Sequence, residues 1–232
     1  MTDQIRPDYG SPVYAAWRDA APDWDAYARH AFVQGLGDGT LPRAAFLRYL
    51  VQDYVFLIHF SRAWALGVVK AETLDEMKLC SATVDALVNH EMALHVRTCA
   101  EAGISEADLE AAEELPENLA YTRYVLEAGF SGDFLDLMAA LAPCVMGYGE
   151  IGARLGREAT SDTYSDWIET YSGAEYQGLC TAVGGLIESA VARRLGDAPQ
   201  NSPRWDALRR RFSAATQLEV GFWRMGLGAD TP

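Results

Sequence analysis

Leu141-Ala142-Pro143-Cys144-Val145-Met146-Gly147-Tyr148-Gly149-Glu150-Ile151-Gly152 reads as helix. Leu137, Leu141, Cys144, Tyr148, Ile151 and Leu155 recur at steps of three and four, which places them on one helical face. Pro143 falls inside this pattern. Proline lacks an N–H and clashes with the carbonyl four residues back, so it kinks a helix or loosens a turn. A thiol one residue beyond it, with a phenol one turn later on the same face, suits a reactive site facing a cavity. It also suits a structural cysteine, because free Cys packs as a small hydrophobe and is among the most buried residue types. From this stretch alone the structural reading is the commoner one.

The surrounding chain of 232 residues is long enough for one large domain or two small ones, and half of it is apolar, so a packed core is expected. Its formal charge of −14 carries no basic stripe of the kind that follows a nucleic-acid backbone. The cluster Arg209-Arg210-Arg211 reads as a solvated helix face. No apolar run approaches the roughly 20 residues that span a bilayer, and 2–8 lack the apolar centre of a signal peptide. Cys80, Cys99, Cys144 and Cys180 form neither a CxxC pair nor a zinc pattern. They are expected to be reduced thiols in a cytoplasmic protein.

Helical spacing recurs along the chain. Residues 1–10 read as a loose arm and 11–228 as one helical domain. Helices are expected near 11–19, 24–32, 42–69, 74–102, 105–112, 116–129, 134–157, 164–170, 174–195 and 203–225. Thr73, Ser105 and Ser131 are expected caps, and Ser161 or Asp162 caps the helix at 164. The glycines of 34–42 fall as GxGxG after helix, unlike a dinucleotide loop; they read as a helix stop, with Thr40 or Leu41 near the next N-cap and Pro42 in its first turn. No alternating strand pattern, repeat or low-complexity linker is visible. The fold class is all-α: a single-domain bundle of about eight or nine helices.

Two carboxylates break the pattern. Asp53 lies on the apolar face of Phe46, Tyr49, Phe56, Phe60, Ala63 and Gly67, and Glu219 on that of Phe212, Ala215, Phe222 and Gly226. A buried carboxylate costs several kcal/mol unless it finds partners. Asp53 is therefore hydrogen-bonded within the core or lines a polar pocket. A polar organic ligand bearing amine and ring-nitrogen donors would satisfy both acids; alternatively one is a proton carrier with a raised pKa. His90-Glu91-Met92-Ala93-Leu94-His95 is not HExxH, because its second His comes one residue too late. Glu91 and His95 share a face and read as a structural pair; iron in a bundle would need a second such pair, and none is found. His30 reads as an isolated residue on a solvated helix.

Six stretches together resemble a known family: Phe32-Val33-Gln34 with Gly37-Asp38-Gly39-Thr40-Leu41-Pro42, then Tyr49-Leu50-Val51-Gln52-Asp53-Tyr54, Glu91-Met92-Ala93-Leu94-His95, Leu141-Ala142-Pro143-Cys144, Ile168-Glu169-Thr170-Tyr171-Ser172-Gly173 and Leu218-Glu219-Val220-Gly221-Phe222-Trp223. Their order and spacing are similar to the TenA family, the thiaminase II proteins of the haem-oxygenase-like fold, in its Cys-containing branch. The resemblance implies an aminopyrimidine aminohydrolase of thiamin salvage. It would release hydroxymethyl-pyrimidine from aminomethyl-aminopyrimidine or from thiamin, with no cofactor and no metal.

The same resemblance implies Cys144 as nucleophile, Glu219 as catalytic acid and Asp53 as the pyrimidine anchor. It implies Tyr121, Tyr148 and Tyr171 as pocket phenols and Phe222 as the ring-stacking aromatic. Phe56 stands where the family usually has Tyr, which removes one pocket hydroxyl and bears on rate or substrate choice. A homotetramer is implied, with no direct nucleic-acid or membrane partner. The competing readings are a non-catalytic TenA-like regulatory or pyrimidine-binding protein, and a di-iron or haem protein on the same fold.

Overall fold

The computed structural model describes residues 6–228. Its α-helices are α1 (Pro12–Asp19), α2 (Trp24–Ala28), α3 (Ala31–Asp38), α4 (Arg43–Lys70), α5 (Leu74–Ala86), α6 (Met92–Glu101), α7 (Glu106–Glu110), α8 (Pro116–Ser131), α9 (Phe134–Glu158), α10 (Ser165–Ser172), α11 (Ala174–Leu195) and α12 (Pro203–Leu227). No strand occurs among the described residues, so the all-α expectation holds. The twelve segments exceed the expected eight or nine. Two are only five residues long, and a π-turn, Leu87–Glu91, divides the helix expected at 74–102.

The central stretch lies in α9, which α12, α10, α11, α8 and α4 pack around. α9 runs unbroken through Pro143. By length and composition it is apolar enough to cross a membrane, unlike the expectation of no such run; 89 % of that apolar window is buried within the bundle. Burial by neighbouring helices is what its apolar sequence serves here. Glycines on α9 let two neighbours approach. A Cβ at Gly152 would lie 2.4 Å from the Tyr171 carbonyl carbon, and one at Gly147 would meet the Tyr27 ring.

Local chemistry sets the helix ends. Ser11, Thr73 and Ser105 cap α1, α5 and α7 through their hydroxyls, each worth about 1 kcal/mol. Asp133, rather than Ser131, caps α9, and it closes a capping box with Asp136. His30 is not merely solvated: its Nδ1 accepts from the Phe32 N–H at the start of α3. The glycines expected to stop a helix lie within α3 up to Asp38, and Gly39, at φ 77°, ends it. Pro42 occupies the N-cap position of α4. Thr40 turns back to Asp38 instead. Tyr164, not Ser161 or Asp162, sits at the N-cap position of α10.

Of the arm expected to be loose, residues 1–5 lie outside the described residues, and the rest is held down. Tyr9 is buried against Tyr14, Arg6 pairs with Asp25, and Arg18 donates to the Pro7 carbonyl at 2.7 Å. An aromatic side chain and an arginine are enough to dock so short a segment.

Candidate active site

α4, α9 and the π-turn surround a cavity of about 510 Å³, within the range of small-molecule sites. Asp53, Leu57 and Phe60 reach it from α4, Cys144, Val145 and Tyr148 from α9, and Glu91 from the π-turn. The α10–α11 junction closes another side with Gly173, Ala174 and Tyr176. His90, Glu169 and Glu175 are exposed and mark its mouth. Cys144 is half-buried, whereas Cys80, Cys99 and Cys180 are buried.

Asp53 combines the two roles left open by its sequence: it lines the cavity and is hydrogen-bonded. Its Oδ2 lies 2.7 Å from His95 Nε2 and accepts from the Tyr49 hydroxyl at 3.2 Å. His95 Nδ1 lies 2.9 Å from the Glu91 carbonyl oxygen. A carbonyl can only accept, so Nδ1 carries a proton and Nε2 faces the carboxylate with the other. Burial opposes charge on His95, but the Asp53 bond and the charges of Asp53 and Glu91 outweigh it and lift its pKa to about 8. His95 is therefore mainly an imidazolium at neutral pH, facing Asp53 Oδ2. Trp167 steadies this contact by donating to the Tyr49 oxygen at 3.2 Å.

Glu219 on α12 also lies close to Cys144. It is 1 % exposed, accepts from the Tyr121 hydroxyl at 2.8 Å and lies next to the Cys144 thiol. Burial, reinforced by the Asp53 charge, pushes its pKa up to about 8 despite the Tyr121 bond and the neighbouring Cys144 thiol. Glu219 is therefore mainly protonated at neutral pH. Burial raises the Cys144 thiol well above its usual range, and the charges of Glu219, Asp53 and Glu91 raise it further. A free thiolate is disfavoured in this setting.

The residues named from sequence thus gather around Cys144 in two layers. Asp53, Cys144 and Tyr148 line the cavity itself. Glu219, Tyr121, Phe222, Phe56 and Tyr171 adjoin that wall without lining the cavity. Phe56 packs against Tyr121 at 4.9 Å, Phe60 at 5.1 Å and Phe222 at 5.5 Å between ring centroids. Phe222 meets Tyr49 edge-on. Tyr148 contacts Tyr171 and Trp167, and the Tyr171 hydroxyl donates to Glu91 Oε1 at 2.9 Å.

Three contributors escaped the sequence reading. Glu91 and His95 are not a self-contained structural pair: one meets Tyr171 and the other Asp53. Trp167 gave no signal beyond its apolar spacing. The available signal for His95 was that a lone buried carboxylate on α4 needs a cationic or donor partner. Among the described residues no three His, Cys, Asp or Glu side chains are arranged to hold a metal ion.

These features define an all-helical protein built around a cysteine–carboxyl cavity for a small polar molecule. Residues 17–229 match the TENA/THI-4/PQQC family, and the chain belongs to it. It is 36 % identical to an aminopyrimidine aminohydrolase of Halalkalibacterium halodurans, over 90 % of this chain and 92 % of that one. A crystal structure described as a TenA family transcription regulator from a Silicibacter species shares 60 % identity and superposes with a TM-score of 0.94, covering 95 % of this chain and 99 % of that one. A Shewanella denitrificans domain of unknown function with a haem-oxygenase-like fold is only 13 % identical but matches with a TM-score of 0.68 over 90 % of this chain and 89 % of its own. The bundle is thus the haem-oxygenase-like fold.

Proposed function

We propose that the protein is an aminopyrimidine aminohydrolase of the thiaminase II type, acting on aminomethyl-aminopyrimidine or thiamin. The observation that carries this reading is the Cys144 thiol on the cavity wall, next to the buried Glu219 and sharing the cavity with Asp53, which His95 holds. The name of the Halalkalibacterium relative supports it.

Both substrates have a flat, electron-poor ring and a cationic substituent on its exocyclic methylene. Asp53 accepts from the ring's amino group, and His95 holds that carboxylate in orientation. Tyr148 offers the ring an aromatic face, backed by Tyr171, and Phe222, packed on Tyr49 and Phe56, is the second stacking ring, each contact giving about 0.5–1.5 kcal/mol beyond burial. A neutral Glu219 gives a ring nitrogen its proton and takes the thiol proton as the sulfur adds to the ring carbon. No isolated thiolate forms, which suits a thiol whose ionisation the site resists. The amine or thiazole then leaves from the methylene as a neutral molecule. Water adds there, and expulsion of the sulfur restores the aromatic ring.

The Silicibacter protein's description as a transcription regulator favours a second reading. A net charge of −14 opposes direct contact with a nucleic-acid backbone. The proposal includes a homotetramer as the assembly, supported by the exposed apolar side chains Val69, Leu74 and Phe130. Activity assays on both substrates with wild type, Cys144→Ser and Glu219→Gln test the proposal. Glu219→Gln should lower kcat by about 10²–10⁴-fold. Full activity in either variant contradicts the mechanism.

A further inference from the structure

The steps above leave the attacking water without a base. Cys144 and Glu219 are engaged with the ring, and Asp53 is held by His95 and Tyr49. Three carboxyls of the cavity have no part so far: Glu169 and Glu175 are exposed at its mouth, and Glu91 lies further in. The five-residue π-turn that ends at Glu91 interrupts an otherwise α-helical run. Such turns shift the register of a helix and gather at functional sites. Here the turn brings Glu91 to the cavity, where Tyr171 donates to Oε1 at 2.9 Å. A carboxylate accepts through two oxygens, so one hydroxyl leaves capacity for a water. Burial, with the nearby Asp53 charge, raises its pKa above the ordinary range.

We propose that Glu91 is the general base of the second half-reaction, activating the water that attacks the exocyclic methylene. This rests on the aminohydrolase reading of the site. Once the sulfur–ring bond has formed and the carbon–nitrogen bond to the leaving group has broken, the methylene carbon is electrophilic. The water oxygen bonds to that carbon while Glu91 takes one of its protons. The carbon–sulfur bond then breaks, its electron pair leaves with sulfur, and the ring nitrogen's proton returns through Glu219. The Glu91 proton passes to solvent at the mouth. Tyr171 is a positioning residue that aims the carboxyl.

The test is transient kinetics on thiamin with the full-length protein. Glu91→Gln should release one equivalent of thiazole at the wild-type rate and then turn over roughly 100-fold more slowly. Azide, an anionic nucleophile that needs no base, should restore turnover and yield the azidomethyl-pyrimidine. Tyr171→Phe keeps the carboxyl and guards against misfolding of the first variant; it should keep the burst and slow the steady state roughly tenfold. Loss of the burst in Glu91→Gln, or turnover that azide does not restore, overturns the assignment of Glu91. Wild-type protein that releases no thiazole and does not hydrolyse aminomethyl-aminopyrimidine overturns the underlying reading instead.

Discussion

Cys144 is held between demands that oppose each other. The proposed mechanism takes the proton from its sulfur, yet burial and three neighbouring carboxyls resist ionisation. A shared proton with Glu219 resolves the conflict, and that arrangement makes the surrounding hydroxyls matter. Tyr121 supplies one to Glu219. Phe56, packed on the Tyr121 ring, stands where relatives are expected to carry another. In Phe56→Tyr, a hydroxyl that reaches Glu219 or Tyr121 should change kcat/KM for aminomethyl-aminopyrimidine by about tenfold. One that finds no partner should cost about 1–3 kcal/mol of stability. Steady-state kinetics with a thermal melt separates the two, and no change in either shows the position to be neutral. Residues such as Asp53 and Glu219 were legible because a lone carboxylate on an apolar helical face violates the pattern around it. His95 and Trp167 were not, because their partners lie on other helices and neither violates its own pattern.

Helices were legible wherever apolar spacing and a capping side chain agreed, as at Thr73 and Ser105. The glycine run before α4 misled because glycine was taken as a stop, whereas packing keeps Gly35 and Gly37 helical. Both are buried, and a Cβ at Gly37 would lie 2.8 Å from Leu155. The π-turn left no trace in the spacing, since a single extra residue in one turn alters periodicity too little to see. Close approach between α9 and α10 has a similar origin in glycine, and it can be tested. Gly152→Ala sets a methyl group against the backbone of Tyr171. The expected cost is about 1–3 kcal/mol in urea unfolding. Turnover should fall as well, because Tyr171 is pushed away from Glu91. Unchanged stability and kinetics would show that the contact relaxes freely.

At the scale of the whole molecule, the site makes folding depend on pH. Glu219 titrates near 4.5 when unfolded and at about 8 when folded. His95 moves from 6.5 to about 8. The folded state therefore binds more protons than the unfolded state across this interval, and stability falls as pH rises through it. The Glu219 share is on the order of 5 kcal/mol at most. Thermal melts from pH 5 to pH 9 should show a declining Tm in wild type and a shallower decline in Glu219→Gln; parallel slopes would contradict the assignment. Catalysis should fail over the same upper range as Glu219 loses its proton. The all-α class was legible from periodicity alone, but the cavity was not, because it is made where five helices and a π-turn meet. The most direct measurement is release of hydroxymethyl-pyrimidine and ammonia from aminomethyl-aminopyrimidine by wild type and by Cys144→Ser. Wild type should hydrolyse it, with Cys144→Ser at least about 10³-fold slower; an inactive wild type, or a serine variant of equal rate, would contradict the account.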